Sequence, residues 1–205
     1  LSTRYQHRAD SLQPICDLIA RQFAERPGNY LAFFSSYAYL QQVLQLFRTA
    51  WPDIPVREQS RQMDEAEREA FLDGFTDDTR CVGFAVLGGA FGEGIDLPGK
   101  RLVGAFIATL GLPQVNPITE QIRQRMQTMF GSGYDYACLY PGLQKVVQAA
   151  GRVIRSPEDQ GVIWLLDDRF GQPVVQRLLP RWWSVEGHHL EQRPAPGTTQ
   201  ALFPG

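Results

Sequence analysis

Two arginines, Arg152 and Arg155, stand three residues apart in the segment QAAGRVIR, which spans residues 148–155. The apolar residues around this segment predict a helix, on which Gln148, Arg152 and Arg155 would share one stripe at positions i, i+4 and i+7. A guanidinium group can bridge phosphate oxygens in a fixed fork, and the small residues between the glutamine and the arginines would let a ligand approach closely. The segment therefore indicates a polyphosphate-binding site. Taken alone, it fits a solvent-exposed helix face with ion pairs equally well.

A glycine-rich segment at residues 88–101, GGAFGEGIDLPGKR, imitates a phosphate-binding P-loop. Its second half fits the pattern GxxxxGK, but Arg101 stands where a P-loop has the serine or threonine that holds magnesium. Asp96 would also place a carboxylate beside the bound anion. We therefore expect no true P-loop. Two interpretations remain: a plain turn with Lys100 and Arg101 in solvent, or a polar loop that borders a ligand.

Alternating apolar segments predict the elements that must position these residues. Short continuous apolar runs of the kind found in buried parallel strands occur at residues 30–34, 81–87, 101–110 and 161–167, with a shorter candidate at 54–59. Segments with helical spacing lie between them, at residues 11–26, 37–50, 62–75, 117–130 and from about 141. This alternation predicts an α/β fold, with a parallel sheet and helices on both faces.

Ligands in such folds bind at the carboxyl ends of the strands, so the segment after the first strand is a candidate binding loop. This segment is Ser35-Ser36-Tyr37, and its serines can also cap the helix predicted to start at residue 37.

The composition excludes several classes of protein. With 43% hydrophobic residues, 20% charged residues and a net charge of -2, the chain is typical of a globular domain and has no global basic field for nucleic acids. No run of about 18 apolar residues occurs, so no membrane span is expected. Cys16, Cys81 and Cys138 are too few for a four-cysteine iron–sulfur site. With no signal peptide, we expect reduced, structural thiols in a cytoplasmic protein.

The segments FFSSYAYL, GGAFGEGIDLPG, QAAGRVIR and GVIWLLDDRF occur in this order along the chain. Together they resemble the second RecA-like motor domain of superfamily 2 DNA helicases, in the XPD/DinG branch, over roughly residues 1–185. The resemblance implies a RecA-like domain at residues 1–190, followed by a weakly ordered tail at residues 191–205. One departure from the family is Gly92, where several relatives carry serine.

The resemblance also implies roles for individual residues. Arg152 and Arg155 would be arginine fingers that face the γ-phosphate of ATP, and Gln148 would contact the nucleotide or the attacking water. The residues that would couple nucleotide state to the grip on DNA are Glu93, Gly94 and Asp96. The residues that would touch single-stranded DNA are Ser35, Ser36, Tyr37 and Gly92. The two serines would donate hydrogen bonds to backbone phosphates, and Tyr37 is suited equally to stacking on a base and to packing in the core.

In that family, ATP and magnesium bind between two motor domains, and the first domain carries the Walker A and B motifs and, in most members, an iron–sulfur cluster. This sequence has no GKS or GKT and no DEAH-type box. The chain therefore resembles the second domain alone, which is not expected to hydrolyse ATP by itself. The implied partners are single-stranded DNA and the first motor domain of the same polypeptide. The alternative hypothesis is a non-catalytic interaction module that keeps the RecA-like shape.

Overall fold

The computed structural model describes residues 1–88, 101–154, 161–183 and 185–187. The strands in this part of the chain are β1 (Tyr30–Phe34), β2 (Val56–Glu58), β3 (Val82–Val86), β4 (Gly104–Ala108) and β5 (Val162–Leu165). They form one sheet in the order β2-β3-β1-β4-β5, and every neighbouring pair is parallel. Each strand lies within a segment whose apolar run predicts it. The predicted parallel sheet is confirmed.

The α-helices of the described residues are α1 (Arg8–Glu25), α2 (Tyr37–Ala50), α3 (Glu65–Asp73), α4 (Pro117–Phe130), α5 (Tyr140–Ala150) and α6 (Pro173–Gln176). Local chemistry explains where several of them begin. Ser36 caps α2 as predicted, because its side chain accepts a hydrogen bond from the Tyr39 N–H at 3.3 Å. Asp64 caps α3 in the same way, and the Glu67 carboxylate accepts a hydrogen bond from the Asp64 N–H, which completes a capping box.

Strand β1 is buried on both faces of the sheet. Leu31 and Phe33 pack into a core that includes side chains of α3 and α5, whereas Tyr30, Ala32 and Phe34 pack against α1 and α2. A strand covered on both faces needs apolar residues at every position, which explains the continuous run YLAFF. The predicted placement of helices on both faces is confirmed.

The carboxyl ends of β1 and β4 border a crevice, because the chain leaves these neighbouring strands towards opposite faces. After β1 it enters α2 on one face, and after β4 it leads to α5 on the other. In open α/β sheets, ligands bind at such a switch point. The sheet topology therefore presents the loop after β1 at the place where a ligand is expected.

A buried ion pair between Asp167 and Arg169 lies just after β5. The Asp167 carboxylate accepts a hydrogen bond from the Arg169 Nε at 2.6 Å, and it also accepts hydrogen bonds from the Thr3 backbone N–H and hydroxyl. Burial alone would raise the pKa of Asp167, but the hydrogen bonds from Arg169 and Thr3 outweigh it and hold the pKa below its usual range. The hydrogen bonds from Thr3 therefore tie the first residues to the segment that follows β5.

Arg101 does not project into solvent, so the plain-turn interpretation is wrong for this residue. Its Nε donates to the Phe75 carbonyl at 2.5 Å, and its Nη2 donates to the Leu72 carbonyl at 3.3 Å. These carbonyls lie at the end of α3, where unpaired C=O groups favour a cation. Lys100 lies outside the described residues.

Candidate functional site

Helix α5 crosses the sheet from its carboxyl edge to its amino edge. Near its start, a Cβ added to Gly111, just after β4, would lie 2.4 Å from the Gly142 carbonyl oxygen. Just beyond its end, a Cβ added to Gly161, immediately before β5, would lie 2.3 Å from the Val153 side chain. The helix therefore connects the edge that carries the strand-end loops with the opposite edge.

The segment QAAGRVIR is not one continuous helix, so the predicted stripe of a glutamine and two arginines is wrong in its second half. Helix α5 ends at Ala150, and Gly151 is its C-cap. The N–H groups of Arg152 and Val153 then bond to carbonyls three residues back, at 3.2 and 3.0 Å, in a turn tighter than an α-helix. Glycine and β-branched residues have low helix propensity, which explains why the helix ends here.

Arg152 lies at this end of α5 with its guanidinium partly enclosed. The residue is half-buried, and its Nε is buried without a hydrogen-bond partner in the described part of the chain. Gln148 is exposed one turn earlier, and Arg155 lies outside the described residues. A guanidinium is suited to binding an anion such as phosphate through N–H groups other than this enclosed Nε. The roles predicted for all three residues stay predictions.

Lys145 is a cation on α5 that the sequence analysis missed. Its aliphatic chain lies against Gly88, just beyond the end of β3, where an added Cβ would be 2.8 Å from the Lys145 Cδ and 3.4 Å from Nζ. The ammonium group therefore sits at the carboxyl edge of the sheet, about 10 Å along the helix from Arg152 at 1.5 Å per residue. The available sequence signal was the spacing of three between Lys145 and Gln148, which puts both on one side of a helix.

The predicted loop Ser35-Ser36-Tyr37 lies directly after β1, at the same edge of the sheet. Ser36 caps α2, and Ser35 accepts a hydrogen bond from the Arg8 Nη2 at 2.8 Å. Tyr37 is half-buried. The loop thus presents hydroxyl groups at the switch-point crevice, and its contact with DNA stays a prediction.

Arg8, the first residue of α1, is a second cation that the sequence analysis missed. Its Cζ lies 5.2 Å from the ring centroid of Tyr5 and 5.0 Å from that of Tyr39. Its Nη2 binds Ser35, while its Nε is buried and has no hydrogen-bond partner within the described ranges. No local motif marks Arg8, because its contact with Ser35 spans 27 residues. The available signal was a cation in the first turn of a helix, where the helix dipole disfavours it.

The remaining predicted site residues, Gly92, Glu93, Gly94 and Asp96, lie outside the described residues. The described residues that flank their segment lie at opposite edges of the sheet. Gly88 is at the carboxyl edge, in contact with Lys145, and Arg101 is at the amino edge, just before β4. The roles predicted for the segment stay predictions.

In the described ranges, no three or more His, Cys, Asp or Glu side chains are placed to hold a metal ion, and no helix is both long and apolar enough to cross a bilayer. Cys16, Cys81 and Cys138 are free thiols. Burial raises the pKa of Cys16 to about 12, so this thiol is unreactive at neutral pH.

Comparison with known proteins identifies the family of the chain. Residues 19–186 match the family described as Helicase C-terminal domain. The chain is 29% identical, over 94% of its length, to the ATP-dependent DNA helicase chl1 of Aspergillus niger. It is 24% identical, over 89% of its length, to the general transcription and DNA repair factor IIH helicase subunit XPD of Arabidopsis thaliana. The chain spans only 26% of the length of each of these relatives.

A solved structure of apo XPD has the same fold. It aligns with a TM-score of 0.70 at 21% identity, and the alignment covers 87% of this chain and 36% of that one. The family match covers most of the chain and includes the first strand, the strand-end loops and the segment QAAGRVIR. The fold is that of a RecA-like helicase domain. The chain therefore belongs to the helicase C-terminal domain family, in the XPD/DinG branch of superfamily 2.

Proposed function

We propose that this chain is the second motor domain of an ATP-dependent DNA helicase. The observation that carries the proposal is Arg152, whose half-buried guanidinium has an unpaired Nε at the end of α5. In a helicase C-terminal domain, such a group is suited to a nucleotide held by the first motor domain. Relatives that are named ATP-dependent DNA helicases support the same assignment.

The residues at the end of α5 fit a bound nucleotide. Arg152 offers a half-buried guanidinium, and Gln148 exposes an amide one turn earlier. When bound with magnesium, ATP supplies the phosphoryl group whose transfer to water drives the motor. Arg152 and Arg155 stabilise the negative charge of that group, a contribution of about 10³–10⁵ in rate for arginines in this role. Gln148 orients the nucleotide or the attacking water.

The residues at the carboxyl edge fit single-stranded DNA. Ser35 and Ser36 donate hydrogen bonds to backbone phosphates, Tyr37 stacks on a base, and the Lys145 ammonium adds a positive charge beside Gly88. The positive charge that attracts DNA is confined to such contacts, because the chain as a whole has 22 acidic and 20 basic residues. We therefore expect the chain alone to bind DNA weakly and in a salt-sensitive way.

In this proposal, helix α5 couples the nucleotide contact at Arg152 to the DNA contacts at the carboxyl edge of the sheet. Lys145 contacts Gly88 at the carboxyl edge, while Arg152 lies in the tight turn that follows the other end of the helix. A shift of the Arg152 end towards nucleotide moves Lys145 and the strand end beside it, as in other hinge-type and shear-type transitions. Glu93, Gly94 and Asp96, in the segment that begins next to Gly88, would transmit this change to the DNA contacts.

The proposal is tested by ATP hydrolysis in a polypeptide that joins this chain to a first motor domain. We expect single-stranded oligothymidylate to stimulate hydrolysis, and we expect the 205-residue chain alone to be inactive because it has no Walker motifs. Hydrolysis by the joined polypeptide that does not respond to DNA would contradict the proposal. It would favour the interaction-module hypothesis.

A further inference from the structure

We propose that Arg8 and Tyr5, which precede the motifs discussed above, form part of the path of single-stranded DNA. Arg8 binds a backbone phosphate beside Ser35, and the ring of Tyr5 stacks on a neighbouring base. This inference rests on the proposed helicase function and adds two residues to its nucleic-acid contacts.

The position of Arg8 places its charge at the candidate DNA site. Its Nη2 lies 2.8 Å from the Ser35 Oγ, directly after β1, at the carboxyl edge of the sheet. The ring of Tyr39 supports the guanidinium at 5.0 Å, and the Tyr39 hydroxyl is itself fixed by Ser11 at 2.6 Å. Arg8 is therefore held in place by groups that do not neutralise it.

Arg8 has no ion-pair partner within the described residues. None of the Asp and Glu side chains there forms an ion pair with it. The two carboxylates after β5 are engaged elsewhere, since Asp167 pairs with Arg169 and Asp168 pairs with Arg4. A partly buried guanidinium that contacts only rings and a hydroxyl keeps its positive charge available to an anionic ligand.

The local field favours an anion. Arg8 is the first residue of α1, where the helix dipole is unfavourable for a cation. The N-terminus of α2, capped by Ser36, lies next to Ser35 and adds a second positive end. Two helix starts and a guanidinium that meet at a strand end suit the phosphate groups of a nucleic-acid backbone.

Tyr5 supplies the aromatic surface that such a site needs. Its side chain is 83% exposed, and its ring centroid lies 5.2 Å from the Arg8 Cζ. An aromatic ring beside an arginine is the combination that proteins use to stack bases while they hold the adjacent phosphates. Stacking of this kind tolerates any base, as a translocating motor requires.

The test is binding of fluorescein-labelled oligothymidylate to the full polypeptide that carries this chain, followed by fluorescence anisotropy over a range of salt concentrations. Arg8→Gln should weaken binding by about tenfold or more. It should also reduce the slope of log K against log salt by about 0.7, the value for one phosphate contact in a single strand. Tyr5→Ala should weaken binding about fivefold or more, and Tyr5→Phe should retain wild-type affinity because it keeps the ring.

Arg21→Gln is the matched control, because it removes the same charge from an exposed position near the other end of α1. It should leave the affinity and the salt slope unchanged. The inference is overturned if Arg8→Gln keeps the wild-type affinity and slope. It is also overturned if Arg8→Gln loses affinity with an unchanged slope and a lower Tm, because Arg8 would then be a structural brace. Failure of the wild type to bind DNA at all would instead reject the proposed function.

Discussion

Arg8 and Arg152 each carry a buried Nε with no hydrogen-bond partner in the described part of the chain. A buried N–H left unpaired costs about 1–3 kcal/mol, so folded proteins keep one mainly where a ligand or water completes the bond. Arg8 lies at the carboxyl edge of the sheet and Arg152 near the opposite end of α5. At the residue scale, these two side chains mark the proposed DNA and nucleotide contacts.

Residue roles could be predicted where the chemistry is local. Ser36 was predictable as a helix cap because its partner, the Tyr39 N–H, lies three residues away. The contacts of Arg8 with Ser35 and of Arg101 with the end of α3 were not, because they join residues far apart in sequence. No propensity or spacing encodes such contacts.

Asp167 allows a prediction about acid stability. We expect Asp167→Asn to lower the free energy of unfolding by roughly 3 kcal/mol near neutral pH, because Arg169 loses its buried anion. The pKa of Asp167 is depressed in the fold, so its contribution is complete above the ordinary carboxyl pKa of about 4 and is lost as pH falls below that value. Urea unfolding at pH values from 7 down to 3 measures this effect. The difference in the free energy of unfolding between wild type and variant should decrease as the pH falls.

Asp168→Asn is the control for this prediction. Its ion pair with Arg4 is exposed, with side-chain exposures of 42% and 44%, so we expect little change at any pH. A gap between wild type and Asp167→Asn that stays constant across the whole pH range would contradict the account of Asp167.

At the scale of elements, the strands were the most predictable feature, and the end of α5 was the least. Burial on both faces forces apolar residues into every position of β1, so its sequence identifies it directly. The end of α5 depends on Gly151 and on carbonyls that accept hydrogen bonds from three residues ahead. A helical periodicity in the side chains does not distinguish this tighter turn from a continuing helix.

The contact between β3 and α5 gives a prediction about Gly88. We expect Gly88→Ala to destabilise the fold by more than Gly131→Ala, although both glycines have positive φ angles, of 75° and 72°. Both variants carry the strain of a left-handed alanine, about 1–2 kcal/mol. An added Cβ meets nothing within 4 Å at Gly131, whereas at Gly88 it must also displace Lys145.

Urea unfolding of the two variants measures this difference, and Lys145→Ala tests its cause. Combined with Lys145→Ala, the Gly88→Ala change should cost about as much as Gly131→Ala, because the crowding is gone. Equal destabilisation by the two glycine variants in the presence of Lys145 would contradict the contact between α5 and the end of β3.

At the scale of the whole molecule, the candidate residues divide between two edges of one sheet. The loop after β1, Arg8 and Lys145 lie at the carboxyl edge, and Arg152 lies beyond the other end of α5. The order of motifs along the sequence predicted the family and the RecA-like fold. It did not predict this division, because the path of α5 across the sheet is set by its packing on β4 and β5.

The most direct test of the central claim is ATP hydrolysis by the full polypeptide, with and without single-stranded DNA, for wild type, Arg152→Ala and Arg155→Ala. Arg125→Ala, at an exposed position on α4, is the control. If the arginines after α5 contact the nucleotide, both variants should lose about 10³-fold or more in turnover while their Tm and the control stay at wild-type values. Unchanged turnover in both variants would contradict the account. The arginines would then be a solvated surface, and the domain would be an interaction module.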